Sequence, residues 1–249
     1  LFLHCHEVEK FYYITDKDGL IYRFTDKSYK DEFVKNGSRL LQSISNTNGY
    51  AIRFEYNNNG KLIKIIDSAG RVLVIENDAE GRITNIIALH PTIPGSTFII
   101  AHYDYDADGN MTGHTDALNQ QMLFEYKNHL LIKETWRNGM NWYFVFDGSS
   151  IGAKCIHTWG DGDIYNHKLS YTEGCTVVEN SLGNTTTYFH KNCLPHTKID
   201  GNGAKWQYRY NRYNDLEWET DPLGNQQNYS HDEWGNLITA LGLKFSDRK

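Results

Sequence analysis

Long apolar runs are missing from this 249-residue sequence. None approaches the roughly 18 residues of a membrane helix, so no helical membrane span is expected. Proline is scarce, with 4 residues, which excludes collagen-like and polyproline chains. Cysteine is equally scarce: Cys5, Cys155, Cys175 and Cys193 include no Cys-x-x-Cys pair. A chain this long does not need a disulfide framework to fold. An excess of positive charge is also absent. The formal net charge is −6, and sequence-independent nucleic-acid binding needs a basic surface, so nucleic acid is not an expected partner. Helical periodicity is nearly absent; the best helical candidate is the short stretch Tyr29 to Lys35, ending at Asn36-Gly37. No Gly-rich phosphate loop opens a helix, because Gly201-Asn202-Gly203 has no helix after it.

Aromatic residues and glycine are plentiful. Aromatics are 14% of the chain, with 17 Tyr, and there are 21 Gly. Side chains of that size argue against disorder. The dominant periodicity is two. Phe11 to Phe24 alternates around Lys17-Asp18-Gly19, while Thr185 to Phe189, Trp206 to Tyr210 and Gln226 to Ser230 are β-rich runs bounded by Gly, Asn and Asp. These are strand and hairpin signals, so the fold class is all-β.

The turn residues recur at a fixed step. Gly49 and Gly70 are 21 residues apart, Gly183 and Gly203 are 20 apart, and Gly224 follows 21 later; Gly139 sits in the same frame, 20 residues after Asn119. In the clean copies a second turn follows the first after 11 residues: Gly60 after Gly49, Gly81 after Gly70, Asn214 after Gly203 and Gly235 after Gly224. Such spacing marks a repeat of turn, strand, turn, strand. The two sets of turns are therefore expected along opposite rims of a sheet. Aromatic residues keep the same frame, as Phe54 and Tyr56, Phe124 and Tyr126, Phe144 and Phe146, Tyr208 and Tyr210, and Tyr229 with His231. Residues two apart on a strand share a face, so these rings are expected to form a substantially buried aromatic ladder. The copy after Gly70 departs from the pattern, with Ile75 and Asn77. The frame divides the chain into a pre-repeat hairpin segment, 1–43, and a repeat array, 44–249, with insertions near 88–97 and 149–163.

These copies resemble a known family. Phe54-Glu55-Tyr56-Asn57-Asn58-Asn59-Gly60-Lys61-Leu62 and Tyr103-Asp104-Tyr105-Asp106-Ala107-Asp108-Gly109-Asn110-Met111 are similar to the tyrosine-aspartate (YD) repeat of Rhs proteins. Asp221-Pro222-Leu223-Gly224-Asn225 followed by Trp234-Gly235-Asn236-Leu237-Ile238 matches the same pattern, and the similarity runs from about Glu9 to Ala240. The resemblance implies stacked antiparallel hairpins in a curved sheet, part of a hollow Rhs β-shell that encloses a C-terminal toxin. It implies as partners the remaining Rhs core, the toxin, and the secretion spike and adaptor proteins of type VI secretion. It implies a bacterial cytoplasmic protein that is later secreted. Leu1 opens the sequence without a signal peptide and Lys249 ends it without a cap, so a piece of a longer protein is expected.

Several residues invite chemical readings. Asp104, Asp106, Asp108 and Gly109 open like a calcium loop, but loop position 12 is Thr115, which cannot be a bidentate ligand. Asp221-Pro222-Leu223-Gly224 resembles the Asp-Pro-x-Gly motifs of the family's self-cleavage region. An aspartyl mechanism needs two carboxylates sharing a proton, however, and this Asp-Pro stands alone in a turn frame. His4, Cys5 and His6 are metal-capable types, as are Cys155, His157 and Cys175, without supporting spacing. His190 and His231 occupy ladder positions. Trp136, Trp159, Trp218 and Trp234 offer flat faces to sugars, which keeps a carbohydrate- or receptor-binding module as an alternative beside a self-cleaving one. The reading that joins most of these observations is a non-enzymatic shell segment without cofactor or metal. Its working residues are the turns Gly49, Gly60, Gly70, Gly81, Gly203, Gly224 and Gly235, and the aromatic ladder Phe54, Tyr56, Phe124, Tyr126, Tyr208, Tyr210 and Tyr229.

Overall fold

The computed structural model describes residues 2–6, 11–16, 18–24, 39–90, 92–233 and 235–243, with backbone only for 2–6, 11 and 243. The helical candidate Tyr29 to Lys35 and Trp234 lie outside the described residues. Contacts divide the chain into two compact units, up to Leu123 and from Phe124 onward.

The first unit is an antiparallel meander. Its strands are β1 (Phe2–His6), β2 (Phe11–Thr15), β3 (Ile21–Phe24), β4 (Leu41–Ser45), β5 (Ala51–Tyr56) and β6 (Leu62–Asp67), then β7 (Val72–Asn77), β8 (Ile83–Leu89), β9 (Thr97–Tyr105), β10 (Met111–Asp116) and the start of β11 (Gln121–Lys127). Each strand pairs with the next in the chain. The second unit repeats the plan with β12 (Leu130–Thr135), β13 (Asn141–Phe146), β14 (Cys155–Gly160), β15 (Ile164–Thr172), β16 (Cys175–Asn180) and β17 (Thr185–Lys191). It ends on β18 (Leu194–Ile199), β19 (Lys205–Tyr210), β20 (Leu216–Thr220), β21 (Gln226–His231) and β22 (Leu237–Leu243). From β12 to β22 the pairing again follows chain order. Such connectivity puts alternate turns on opposite rims. In the first unit Gly49 and Gly70 lie on one rim and Gly60 and Gly81 on the other. In the second unit Gly203 and Gly224 oppose Asn214 and Gly235. Between β8 and β9 the connection is longer, and the His90 N–H donates to the Ser96 carbonyl at 2.8 Å. The stretch 149–163, where the sequence pattern lapses, still supplies β14, followed by a single 3₁₀ turn at Asp161–Asp163.

One turn design recurs. At Asp67 the backbone N–H donates to the Arg71 carbonyl at 3.1 Å, and the Gly70 N–H donates back to the Asp67 carbonyl at 3.0 Å. Gly70 has φ 79°. This is a type I turn closed by a residue in the left-handed region, which glycine adopts without steric cost. The same bonds close the turns that begin at Asn46, Asn57, Asp78, Asp106, Asp200, Asn211, Asp221 and Asp232. Shorter turns join other strands. Asn128 and His129 (φ 53° and 64°), and Asn192 and Cys193 (φ 52° and 64°), place two consecutive residues in the left-handed region, as a type I′ hairpin requires.

The core is thin. Ile75, 4% exposed, and Ala101, 8% exposed, are the buried hydrophobic side chains among the described residues. Ile75 faces Ile86 on β8, and Ile86 faces Ala101 on β9. The ladder residues Phe54, Tyr56, Phe124, Tyr126, Tyr208, Tyr210 and Tyr229 are half-buried, less than the sequence pattern led us to expect. Among the described residues strand contacts run between neighbours in the chain, and no second layer covers either sheet face within a unit, so a ring there shelters against its strand neighbours. Successive aromatic strands are also separated by an intervening strand. Phe54 faces Ile65, Tyr208 faces Glu219 and Tyr229 faces Ala240, so the strands that carry successive rings lie about 9–10 Å apart.

Candidate functional site

The repeat's working parts are its Tyr and its Asp or Asn, and each has a distinct task. The acidic or amide residue caps its own turn. Asp67 Oδ1 accepts the Ala69 N–H at 3.0 Å and the Arg71 N–H at 2.9 Å. Asn57 does the same with Asn59 and Lys61, and Asp221 with Leu223 and Asn225. Short oxygen-bearing side chains are favoured here because they pair turn N–H groups that would otherwise lack a protein acceptor. At Trp136 the backbone bonds of the turn persist without this cap, and Asn138 Oδ1 accepts the Met140 N–H instead.

The tyrosine works on the preceding hairpin. An extra residue interrupts the ladder at one recurring place, shortly after the start of the second strand of a hairpin. Glu55 pairs with Lys64 but Tyr56 pairs with Leu62, which leaves Ile63 as a bulge. Gln42, Thr84, Thr112, Ile156, His196, Glu217 and Ile238 are the equivalents on β4, β8, β10, β14, β18, β20 and β22. A bulge bends its strand, increases right-handed twist and disrupts local pairing. A side chain from the following hairpin compensates. Tyr56 Oη donates to the Leu41 carbonyl at 2.7 Å, and Tyr105 Oη to the Ile83 carbonyl at 2.9 Å. Tyr171 Oη donates to the Cys155 carbonyl at 2.6 Å. In each case the acceptor immediately precedes the bulged residue. Asn77, which the sequence marked as a departure, makes the same link through its Nδ2 to the Leu62 carbonyl at 2.9 Å. The recurrent link therefore latches a bend in one hairpin to the next hairpin in line.

The turn glycines lie in the left-handed region. Their φ angles are 86° at Gly49, 77° at Gly60, 79° at Gly70, 84° at Gly81, 81° at Gly203, 84° at Gly224 and 84° at Gly235.

The teneurin YD-shell family model matches residues 32–173, more than half of the chain. The chain belongs to the teneurin YD-shell family. Toxin protein Tse5 of Pseudomonas aeruginosa is 21% identical over 222 residues, covering 80% of this chain and 17% of that protein. The chain thus spans about a sixth of the length of that relative. Among solved structures, a TcdB2-TccC3-Cdc42 crystal structure aligns over 97% of this chain and 16% of its own at 11% identity, with a TM-score of 0.41. A Photorhabdus luminescens Tc holotoxin pore aligns over 90% of this chain and 16% of its own, also at 11% identity, with a TM-score of 0.36. At those scores the likeness adds no weight to the family match. A YD shell is a structural element.

The residues with chemical potential take structural positions. Asp106 caps the turn of its own repeat: its Oδ1 accepts the Asn110 N–H and its Oδ2 the Asn110 side-chain amide, both at 2.8 Å. Asp104 instead meets His102 Nε2 at 3.1 Å. Asp221 is a cap. The Asn225 amide, followed by the Asn225, Leu223 and Gly224 N–H groups, holds its carboxyl below the usual carboxylate range against partial burial. Cys155 Sγ is bonded to the His157 carbonyl at 3.4 Å, and His157 Nε2 to Asn166 at 2.8 Å. Cys175 lies on β16, across β15 from them. The side chains of His4, Cys5 and His6 lie outside the described residues. His190 Nε2 reaches Thr176 Oγ1 at 3.4 Å.

Trp136, Trp142 and Trp159 contact other rings on their own sheet, although Trp136 keeps 41% of its surface exposed. Trp159 is stacked with Tyr143 at 5.3 Å and lies against His157 at 4.3 Å. Trp136, Trp142 and Tyr165 form a second row at 5.3 and 6.0 Å. Asp161 pins this region by accepting the Asn141 N–H at 2.8 Å and the Tyr143 hydroxyl at 3.1 Å.

The caps give the fold a defined acid response. The backbone and side-chain hydrogen bonds from Arg71 hold the Asp67 carboxyl below its ordinary value, and the Asn225 bonds do the same for Asp221. A carboxylate whose folded pKa is depressed adds stability above its unfolded value, about 3.9, and loses it as pH falls through the folded one. Stability is therefore expected to decline as pH drops below about 4. Asp67→Asn keeps the capping oxygen, as Asn57 does naturally, but removes one titration. Urea unfolding at a series of pH values should show a shallower acid decline for this variant. An unchanged profile would mean that the Asp67 cap does not contribute to acid sensitivity.

Proposed function

We propose that this chain is a stretch of shell wall in an Rhs-type toxin-delivery protein. The wall encloses a toxin polypeptide until secretion in interbacterial competition. The observation that carries this reading is a sheet that has no second layer among the described residues. Its strands are bent by a bulge in nearly every hairpin, and its hairpins are latched by the YD tyrosines. A globular enzyme or binding domain closes its sheet on another layer and buries a core, whereas a wall needs two solvated faces. The family match and the likeness to a protein named as a toxin support the proposal. The partners are then the remaining core and the enclosed toxin, with a secretion spike and adaptor proteins outside. The protein resides in the bacterial cytoplasm before delivery. In this reading the segment has no catalytic residue or cofactor, and any toxic activity belongs to the enclosed polypeptide.

Limited proteolysis tests the reading. The segment is co-expressed with the rest of the core and the toxin, once intact and once with Tyr56→Phe and Tyr105→Phe together. The toxin should resist protease in the intact assembly and become more accessible in the latch variant. A toxin digested equally fast in both would overturn enclosure by this wall.

A further inference from the structure

The second unit carries a groove that the shell reading does not use. It lies over β19 to β22, has a volume of about 390 Å³, and is lined by Trp206, Glu219, Gln227 and Gly242 among others. Glu219 is opposite Tyr208 on β19 and Gln227 on β21. Tyr229 Oη donates to Glu219 Oε1 at 2.6 Å, which fixes the carboxylate. That bond, aided by burial and the carboxylate charge, pushes the Tyr229 hydroxyl up to about 12. The second oxygen of Glu219 accepts no hydrogen bond from a described residue, and Glu219 forms no ion pair among them. Gly242 leaves room for the Gln227 amide at the floor of the groove. A Cβ there would come within 2.9 Å of Gln227 Oε1.

The same face already holds a cation in the manner the groove suggests. Lys198 Nζ stands 4.5 Å from the centre of the Trp206 ring, an attraction between ammonium and ring quadrupole. We propose that the groove receives a further cationic group, the guanidinium or ammonium of an Arg or Lys side chain on a polypeptide lying along this face. Glu219 Oε2 and Gln227 Oε1 supply acceptors for its N–H groups, and Trp206 supplies a flat wall. A planar guanidinium uses both elements better than an apolar or anionic side chain does. The charged groups that face this position are Glu219 and Asp221 on one side and Lys198 on the other. Lys198 opposes the incoming charge and sets the affinity low. This inference concerns the chemistry of the second unit and does not depend on the wall reading.

The test is a titration of the ¹⁵N-labelled chain, followed at the Trp206 indole N–H at constant ionic strength. The ligands are Nα-acetyl-arginine amide, tetramethylammonium chloride and Nα-acetyl-leucine amide. The arginine derivative should give a saturable shift in the millimolar range, and the leucine derivative none. Glu219→Gln should weaken arginine binding about five-fold or more, and Lys198→Met should strengthen it by about two- to five-fold, as expected for one charge at a partly exposed site. A general loss of packing would move both variants in the same direction. Arginine binding stronger than that of tetramethylammonium identifies a hydrogen-bonding side-chain site. Equal binding of the two would reduce the groove to a non-specific cation surface and overturn the proposal. It would also fall if arginine gave no saturable shift, or if Glu219→Gln bound as well as the parent.

Discussion

Replacing Ile75 by alanine is expected to destabilise the first unit by about 2–4 kcal/mol, the largest loss from a single truncation in this chain. At 4% exposure Ile75 is the most buried hydrophobic side chain among the described residues. It connects β7 to Ile86 on β8 and, through Ile86, to Ala101 on β9. Removing three carbons forfeits their transfer free energy and opens a void where the described residues bury a large hydrophobic side chain. Val74 provides the comparison. It is next in sequence, points to the opposite face and is 38% exposed, so Val74→Ala should cost less than about 1 kcal/mol. Urea unfolding of the two variants against the parent measures both values. Similar losses at the two positions would show that the faces are equally buried in solution, against a wall with one dry seam.

The position of that seam shows what a sequence of this kind reveals. Period-two alternation, the glycine frame and the aromatic pairs were enough to place the hairpins and the rims, because each is local and repeats. The bulges were hidden. Leu62-Ile63-Lys64-Ile65-Ile66 gives no sign that Ile63 is the unpaired residue, since a bulge is a property of two strands in register and not of one. The latch was hidden for a related reason. Tyr56 and its acceptor Leu41 are 15 residues apart, and the interval becomes 22 at Tyr105 because a longer connection joins β8 to β9. Asn77 looked like a lapse in the aromatic pattern, yet the position calls for a donor rather than a ring. Trp159 was legible only as a flat aromatic on a strand, because its ring neighbours His157 and Tyr143 come from positions that pairing, not spacing, brings together. The groove at Glu219 was also illegible, because it joins Trp206, Glu219, Gln227 and Gly242 from separate strands.

Tyr105→Phe should isolate the latch. The substitution keeps the ring, and with it the Arg82 guanidinium 4.6 Å from the ring centre, but removes the donor to the Ile83 carbonyl. That carbonyl precedes the bulged Thr84. A hydrogen bond of this kind contributes about 1 kcal/mol net, and an acceptor left partly buried without a partner raises the loss to about 1–2 kcal/mol. Tyr103→Phe is the internal reference, because no described residue pairs with the Tyr103 hydroxyl; its cost should stay within about 0.5 kcal/mol. The distribution of the loss is more telling than its size. In an array where each hairpin touches mainly its neighbours, a broken contact destabilises locally. Native-state hydrogen exchange should therefore quicken at β8 and β9 while the amides of β19 to β22 exchange at the parent rate. If Tyr105→Phe and Tyr103→Phe behaved alike, the Tyr105 bond would be incidental, and ladder pairing alone would hold the bent hairpins together. Acceleration confined to β8 and β9 would establish the tyrosine of the YD pair as the device that lets a bulged, single-layer sheet persist without a second layer.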